Sequence, residues 1–349
     1  MAEGQNATVG FNSYLAVGRE STFKTAVTCS AGLDFLSASI KTTQEQQIVE
    51  AVTGKRTHAD RICLSKTIEG DVEFYMASDS DAAVFMLHNA MGGGAVSTAT
   101  ATGDTTGAGV LTHTFSINNF DASNTSLCFN HRKGDGTNGH IFGYNGGRVG
   151  EFTLSGEVDE ALKCSASLVF CDSTTTVADV SALLTVTGQT PLCFSGMRLS
   201  VESTFASLTA SAFWYVQSFE WGINNNLKAD SDSRRIGTNV LDVLPPGIAA
   251  FTFTFSMRFD TLTAYNAMLN ETQLACQIAC LGDTIAGSKI QQGITINMPK
   301  IFIIDAGDPE VGGPDDILKA EITAMVLRDD TSASGYAVQV LVNNKTTSY

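Results

Sequence analysis

Apolar and polar residues alternate with period two over much of this chain. The run Phe251-Thr252-Phe253-Thr254-Phe255-Ser256-Met257-Arg258-Phe259 puts an apolar residue at every other position. A helix would scatter those residues around its circumference, whereas a strand collects them on one face. Ile68-Glu69-Gly70-Asp71-Val72-Glu73-Phe74-Tyr75-Met76 alternates in the same way. Further strands are predicted at residues 33–40, 152–155, 166–170, 216–223, 294–296 and 322–326. Only two stretches switch to helical spacing. In the first, Ser80 or Asp81 is the predicted cap, Gly92 the stop, and Val84, Leu87 and Met91 the apolar stripe. In the second, Asp260 or Thr261 caps a stripe of Leu262, Tyr265 and Leu269.

The pattern occurs twice. Glu20-Ser21-Thr22-Phe23 recurs as Glu202-Ser203-Thr204-Phe205, and Asn89-Ala90-Met91 recurs as Asn266-Ala267-Met268. The two recurrences are in order and nearly in frame, which predicts an internal duplication. Each copy reads as a strand ending in the Glu-Ser-Thr-Phe element (residues 11–23 and 194–205) and a second strand. A long polar loop, an alternating strand and the short helix follow. The loops span residues 41–66 and 224–247 and carry Lys55, Arg56, Arg61, Arg234 and Arg235. All six prolines lie at or after Pro191, and Gly188-Gln189-Thr190-Pro191 is turn chemistry. The predicted units are therefore residues 1–188 and 189–349. Residues 92–109 are a Gly/Thr-rich insert in the first unit alone. They read as a mobile surface loop or as a contact arm ordered by a neighbouring subunit.

Composition narrows the function. The 349 residues are 43% hydrophobic, but only 16% are charged, against about 25% in ordinary globular domains. A surface so poor in charge suits a protein covered by neighbours. Net charge is −15, and both halves share it. Residues 1–188 carry 11 basic and 20 acidic side chains, and residues 189–349 carry 10 and 16. Gripping nucleic acid needs Lys and Arg, so this balance argues against a nucleic-acid binder. Met1-Ala2-Glu3-Gly4 leads into polar residues, and no apolar run reaches membrane-spanning length, which predicts synthesis in a cytoplasm. Eight cysteines then read as small buried hydrophobes, Cys128, Cys171 and Cys193 among them.

Candidate chemistry is sparse. The stretch from Gly134 to Gly139 has the lettering of a dinucleotide fingerprint, but a strand-like segment follows it where a helix would have to start. It reads as a hairpin connection. Cys128, His131 and His140 lack a fourth zinc ligand at a plausible spacing, and Cys276 and Cys280 read as core. Asp315-Asp316 and Asp329-Asp330 read as solvated loop ends. No Ser/His/Asp pattern is present, so neither catalysis nor a cofactor is expected. A carbohydrate-binding sandwich would need an exposed aromatic platform, but Trp214 and Trp221 both lie in strand-like core.

Several features together resemble the tail tube proteins of long-tailed bacteriophages, in the duplicated type with two tube units per chain. They are Glu20-Ser21-Thr22-Phe23 followed by Thr25-Ala26-Val27, the basic loop before an alternating strand, and the helix ending in a Gly-rich turn. Leu111-Thr112-His113-Thr114-Phe115 and the run from Phe142 to Ser155 belong with them. The resemblance implies a mainly β fold: two tandem tail-tube-like β-sandwich or split-barrel units, each with one flanking short α-helix. It implies a structural virion protein in the viral tail that self-assembles into stacked rings around a channel for DNA ejection. Three two-unit chains would close a pseudo-hexameric ring, with a hexamer as the alternative. The tape measure, terminator and distal tail proteins would meet its ends. Another ring-forming tail or secretion component (a tail terminator, a baseplate ring or a secretion-tube protein) is the alternative reading. The expected lumen acids are Asp71, Glu73, Glu151, Glu157, Asp159, Glu220 and Glu321, which would keep DNA off the wall. The expected contacts between stacked rings are Lys55, Arg56, Arg61, Arg234 and Arg235.

Overall fold

A computed structural model describes residues 10–50, 56–58, 60–104, 107–118, 120, 126–134, 139–181, 189–208, 213–307, 317–330, 335–347 and 349. The chain is mainly β, with strands joined in antiparallel sheets and two α-helices among the described residues. In chain order the first half holds β1 (Tyr14–Arg19), β2 (Ala31–Leu33), β3 (Phe35–Ala38), β4 (Lys41–Ile48) and β5 (Arg61–Tyr75). Then come α1 (Asp81–Ala90), β6 (Ser97–Thr100), β7 (Leu111–Ser116), β8 (Leu127–Lys133), β9 (His140–Glu157), β10 (Lys163–Phe170) and β11 (Asp172–Thr174). The second half holds β12 (Met197–Glu202), β13 (Phe213–Trp214), β14 (Val216–Asn224), β15 (Ala250–Arg258) and α2 (Thr263–Leu269). It ends with β16 (Leu274–Thr284), β17 (Gln291–Asp305), β18 (Lys319–Val326) and β19 (Gln339–Asn344).

Pairing follows one order in both halves. In the first, β1 pairs with β8, β8 with β9, β9 with β10, β10 with β5, and β5 with β3. In the second, β12 pairs with β16, β16 with β17, β17 with β18, β18 with β15, and β15 with β14. The long strand β9 serves two sheets. Its first part pairs with β8 and β11, and its second part with β10 and β14. It passes between them at Gly146, whose φ is 66°, and at Gly147, where an added Cβ would sit 2.4 Å from the Phe170 ring.

Two seams join the halves. Residues 218–224 of β14 pair with residues 151–157 of β9, and β19 pairs with β7 along its length. Below the first seam, Phe152, Leu154, Trp221 and Ile223 are all fully buried. Burial of side chains of this size stabilises by roughly 1.5–3 kcal/mol each. They belong to one hydrophobic core that runs through both halves. Leu192 lies in that core too, its N–H bonded to the Met76 carbonyl at 2.9 Å.

The structure corrects several expectations. Residues 41–48 and 61–66 are not loop: β4 and the start of β5 pair antiparallel as a hairpin arm exposed on both faces. Without a buried face there is no apolar alternation to read, although Thr42, Thr43, Ile48 and Ile62 suit a strand. Residues 97–100 of the insert form β6, which pairs with β7 and so extends the second half's sheet. Helix α1 is capped by Ser80, as expected, and Val84, Leu87 and Met91 are buried. Helix α2 starts after Leu262 with no side-chain cap. Its stripe points outward: Leu262, Tyr265 and Leu269 are exposed, and Ala264 and Ala267 face inward. Trp221 is core and Trp214 half-buried. Cys193 and Cys63 are exposed, whereas the other six cysteines are buried. The Glu-Ser-Thr-Phe element follows β1 and is not part of it, because β1 ends at Arg19.

Burial has a consequence for acid stability. His131 is buried beside the Phe35 ring, and its Nδ1 has no hydrogen-bond partner among the described residues. Burial, with Lys133 nearby, pulls its pKa from 6.5 to about 4. The folded state therefore refuses a proton that the unfolded chain accepts below pH 6.5. Its contribution is complete above that value and is lost as pH falls towards 4, at about 1.4 kcal/mol per pH unit. Replacing His131 with Phe should flatten the loss of stability between pH 6.5 and 4, as thermal melts across that range would record.

Candidate functional site

One face of the sheet β5–β10–β9–β14–β15–β18 gathers most of the predicted acids. Directly paired residues of neighbouring strands share a face, so the register places each side chain. Asp71 pairs with Ser167, Ser167 with Glu151, and Glu151 with Asn224. Glu73 pairs with Ser165, and Ser165 with Thr153. Ser155 pairs with Glu220, and Glu220 with Thr254. Glu157 pairs with Ser218, Ser218 with Ser256, and Ser256 with Glu321. Asp71, Glu73, Glu151, Glu157, Glu220 and Glu321 therefore share one face that crosses the β9–β14 seam without a break. Five of them are exposed and Glu73 is half-buried.

Between the acids lie hydroxyls: Ser155, Ser165, Ser167, Ser218, Thr254 and Ser256. Asp71 accepts a hydrogen bond from the Ser167 hydroxyl. Near the seam, Glu157, Glu160, Glu220 and Glu321 surround a depression of ≈ 430 Å³. Cations are fewer. Lys163 stands 3.5 Å from Glu73, Lys41 pairs across from Glu69, and Arg258 and Lys319 pair at one end. Among the described residues no three His, Cys, Asp or Glu side chains converge as a metal site requires. Asp159 is the exception among the predicted acids. It sits in the turn between β9 and β10, with φ 66°, and belongs to no strand.

The second feature is the β4–β5 arm. Ile48 and Ile62 are each more than half exposed on it, and Cys63 is exposed. Arg61 donates to the Gln46 side chain within the hairpin, Arg56 is exposed near its tip, and Lys55 lies outside the described residues. The base of the arm is braced from the other half. Arg234 Nη1 donates to the Lys66 carbonyl at 3.2 Å and to the Asn239 carbonyl at 2.9 Å. The Lys66 N–H donates to Asn239 at 2.8 Å, and Lys66 Nζ lies 3.3 Å from Asp172. Arg234 thus spends its guanidinium inside the chain, while its neighbour Arg235 is exposed and pairs with Asp242 at 3.3 Å.

The repeated Glu-Ser-Thr-Phe element is structural in its first occurrence. Glu20 is fully buried, and its carboxylate accepts from the N–H groups of Gly146 and Lys24 and from the Ser126 hydroxyl. Burial raises its pKa despite those bonds. Phe23 stacks on the Arg148 guanidinium at 4.8 Å. Glu202 is only half-buried, and Phe205 is partly exposed.

The sequence profile described as phage tail tube protein matches residues 10–326. The chain belongs to the phage tail tube protein family. It is thus a structural component of the virion tail, in a non-enzymatic family that self-assembles into a tube and associates with other tail proteins. No curated protein matches it in sequence. Among the described residues no helix is long and apolar enough to cross a membrane. Within a tail tube protein the arm and the acidic face are the two surfaces whose chemistry the core does not explain.

Sequence reasoning missed Glu69 and Glu160, although Glu69 continues the alternation of Asp71 and Glu73. The bracing role of Arg234 had no local signal, because the residues it braces, Lys66 and Thr67, lie in the other half. Replacing Arg234 with Ala should cost about 1–2 kcal/mol and speed amide exchange in residues 61–67. Arg235→Ala, which removes an exposed pair, should cost under about 0.5 kcal/mol and leave that exchange unchanged. Chemical denaturation and hydrogen exchange would separate the two, and equal effects would refute the bracing role.

Proposed function

We propose that this tail tube protein forms closed rings that stack into a cylinder, with the acidic face lining the bore through which DNA leaves the capsid. The observation that carries the reading is the single polar face holding Asp71, Glu73, Glu151, Glu157, Glu220 and Glu321 on both sides of the β9–β14 seam. Basic walls would add counterion-release affinity at every ring and hold the duplex. Exposed carboxylates spaced by short hydroxyl side chains repel phosphate and leave a smooth polar surface. A channel also needs a wall without open edges, and a sheet that continues from one half into the next provides part of one.

The two halves, residues 1–188 and 189–349, are copies of one unit in this reading, supported by the shared pairing order. Three chains then supply six units per ring. The arm reaches the next ring: Ile48 and Ile62 offer apolar contact, and Arg56, Arg61, Lys55 and Arg235 offer charge that fixes register. Arg234 is assigned to bracing the arm and no longer to contact between rings.

The test replaces Glu157, Glu220 and Glu321 with Lys in one chain and follows two properties. Negative-stain images should still show tubes of wild-type diameter, because these side chains lie on the solvent face of the sheet. Retention of short duplex DNA by the tubes should rise at least about ten-fold at low salt and fall steeply as salt increases. Unchanged retention in intact tubes would refute the lining assignment. A wild-type chain that stays as separate globules at every concentration would refute the ring reading.

A further inference from the structure

Two thiols meet across strand β1. Cys128 lies on β8, directly opposite Gly18 of β1. Cys29 lies between β1 and β2, just before β2 begins. The two sulfurs are 3.8 Å apart and share a hydrogen bond. Cys29 Sγ also lies 3.7 Å from the Cys128 carbonyl, and Cys128 Sγ donates to the Val27 carbonyl at 3.3 Å. Gly18 makes the meeting possible. A Cβ added there would sit 2.7 Å from Cys128 Sγ and 3.0 Å from the Cys29 Cα, so any side chain would push the thiols apart.

The pair stands apart from the main core, in a small cluster with Tyr14, Ala16 and Val180. Both cysteines are buried, but their cover is thin. Thr28 and Ser30, on either side of Cys29, are exposed, and Val27, which packs on the cluster, is half-buried. The stretch from Glu20 to Ser30 holds no strand or helix, and backbone of that kind opens more readily than a sheet. The two sulfurs are also unequal. The hydrogen bond from Cys29 lowers the Cys128 pKa, whereas the same bond and burial raise that of Cys29. The thiolate is the attacking form, so Cys128 is the first nucleophile and Cys29 the resolving thiol.

We infer that Cys29 and Cys128 are a redox-sensitive pair, which closes to an intrachain disulfide on meeting a low-molecular-weight disulfide such as oxidised glutathione. The Cys128 thiolate attacks one sulfur of that reagent, forming a mixed disulfide and expelling one thiolate. Cys29 then attacks the Cys128 sulfur, and the second half of the reagent leaves. Two protein thiols are oxidised, one external disulfide is reduced to two thiols, and the cysteine protons end on those thiols. The sulfurs must close from 3.8 Å to about 2.05 Å, and the movement falls to Cys29, which belongs to no strand. Such a pair stays open in a reducing cytosol and closes in the oxidising surroundings that a released virion enters. The bond fastens the Glu20–Ser30 stretch to β8. That stretch holds the buried Glu20, and its Lys24 Nζ donates to the Leu241 carbonyl of the second half at 2.7 Å. The disulfide thus staples a segment that touches both halves, whether or not the chains close into rings.

The test uses the folded chain with its exposed Cys63 and Cys193 replaced by Ser. After incubation with oxidised glutathione, intact-mass spectrometry should show the loss of two hydrogens, and a non-reducing digest should link the Cys29 and Cys128 peptides. Dithiothreitol should reverse both. With Cys29→Ser or Cys29→Ala the reaction should stop at one glutathione, attached to Cys128. Amide exchange in residues 20–30 should be about ten-fold slower in the oxidised chain than in the reduced one. A folded chain that keeps both thiols, while the same chain in denaturant forms disulfides, would overturn the proposal. A digest that joins any other two cysteines would do the same, as would glutathione that persists on Cys128 with Cys29 present. Equal exchange in the two forms would overturn the stapling role.

Discussion

The pairing of β9 with β14 is the constraint from which the rest follows. It fixes the two halves side by side in one sheet and sets which side chains face inward. Its register puts Phe152 and Leu154 beside Ile223 and Trp221 on the buried face, and Glu151 and Glu220 on the other. A slip of one residue would exchange the faces and bury carboxylates, so the apolar side enforces the acidic one. Core packing and surface electrostatics are thus one specification written on alternate residues. Beyond the seam, β3 and residues 302–305 of β17 each pair on one side only among the described residues.

The two halves are unlike where their neighbours differ. Helix α1 is almost wholly buried because β9 and the chain beyond β19 close over it, whereas α2 buries only Ala264 and Ala267 and rests Met268 against the core. The insert adds β6, which pairs with β7, and β7 carries the first half across to β19. Only the first half extends the β4–β5 arm, and the second half supplies the loop that braces its base through Arg234. One half thus reaches outward and the other holds it in place.

Strands with one buried face were legible from alternation alone. β15 and the second part of β5 lie close to where their patterns ended, and Ser80 marked the start of α1 by its capping chemistry. Elements with no buried face, or with an apolar face left exposed, were misread. β4 has polar residues on both sides and gave no period, and α2 has an apolar stripe that burial inside the chain does not explain. The acids of the polar face were found because alternation separates them from the core, and only Asp159 broke the rule by falling in a turn. That they form a single face depends on which strands pair. No spacing along the chain encodes the seam between residues 151–157 and 218–224.

The central claim is that the carboxylate face of the joined sheet looks into the bore. An electron cryomicroscopy map of the assembled particle, viewed along its axis, measures this directly. The account predicts density for β5, β10, β9, β14, β15 and β18 forming the inner wall, with Glu151, Glu157, Glu220 and Glu321 projecting into the channel. A map in which those strands lie on the outer surface, or in which lysines and arginines line the passage, would contradict it.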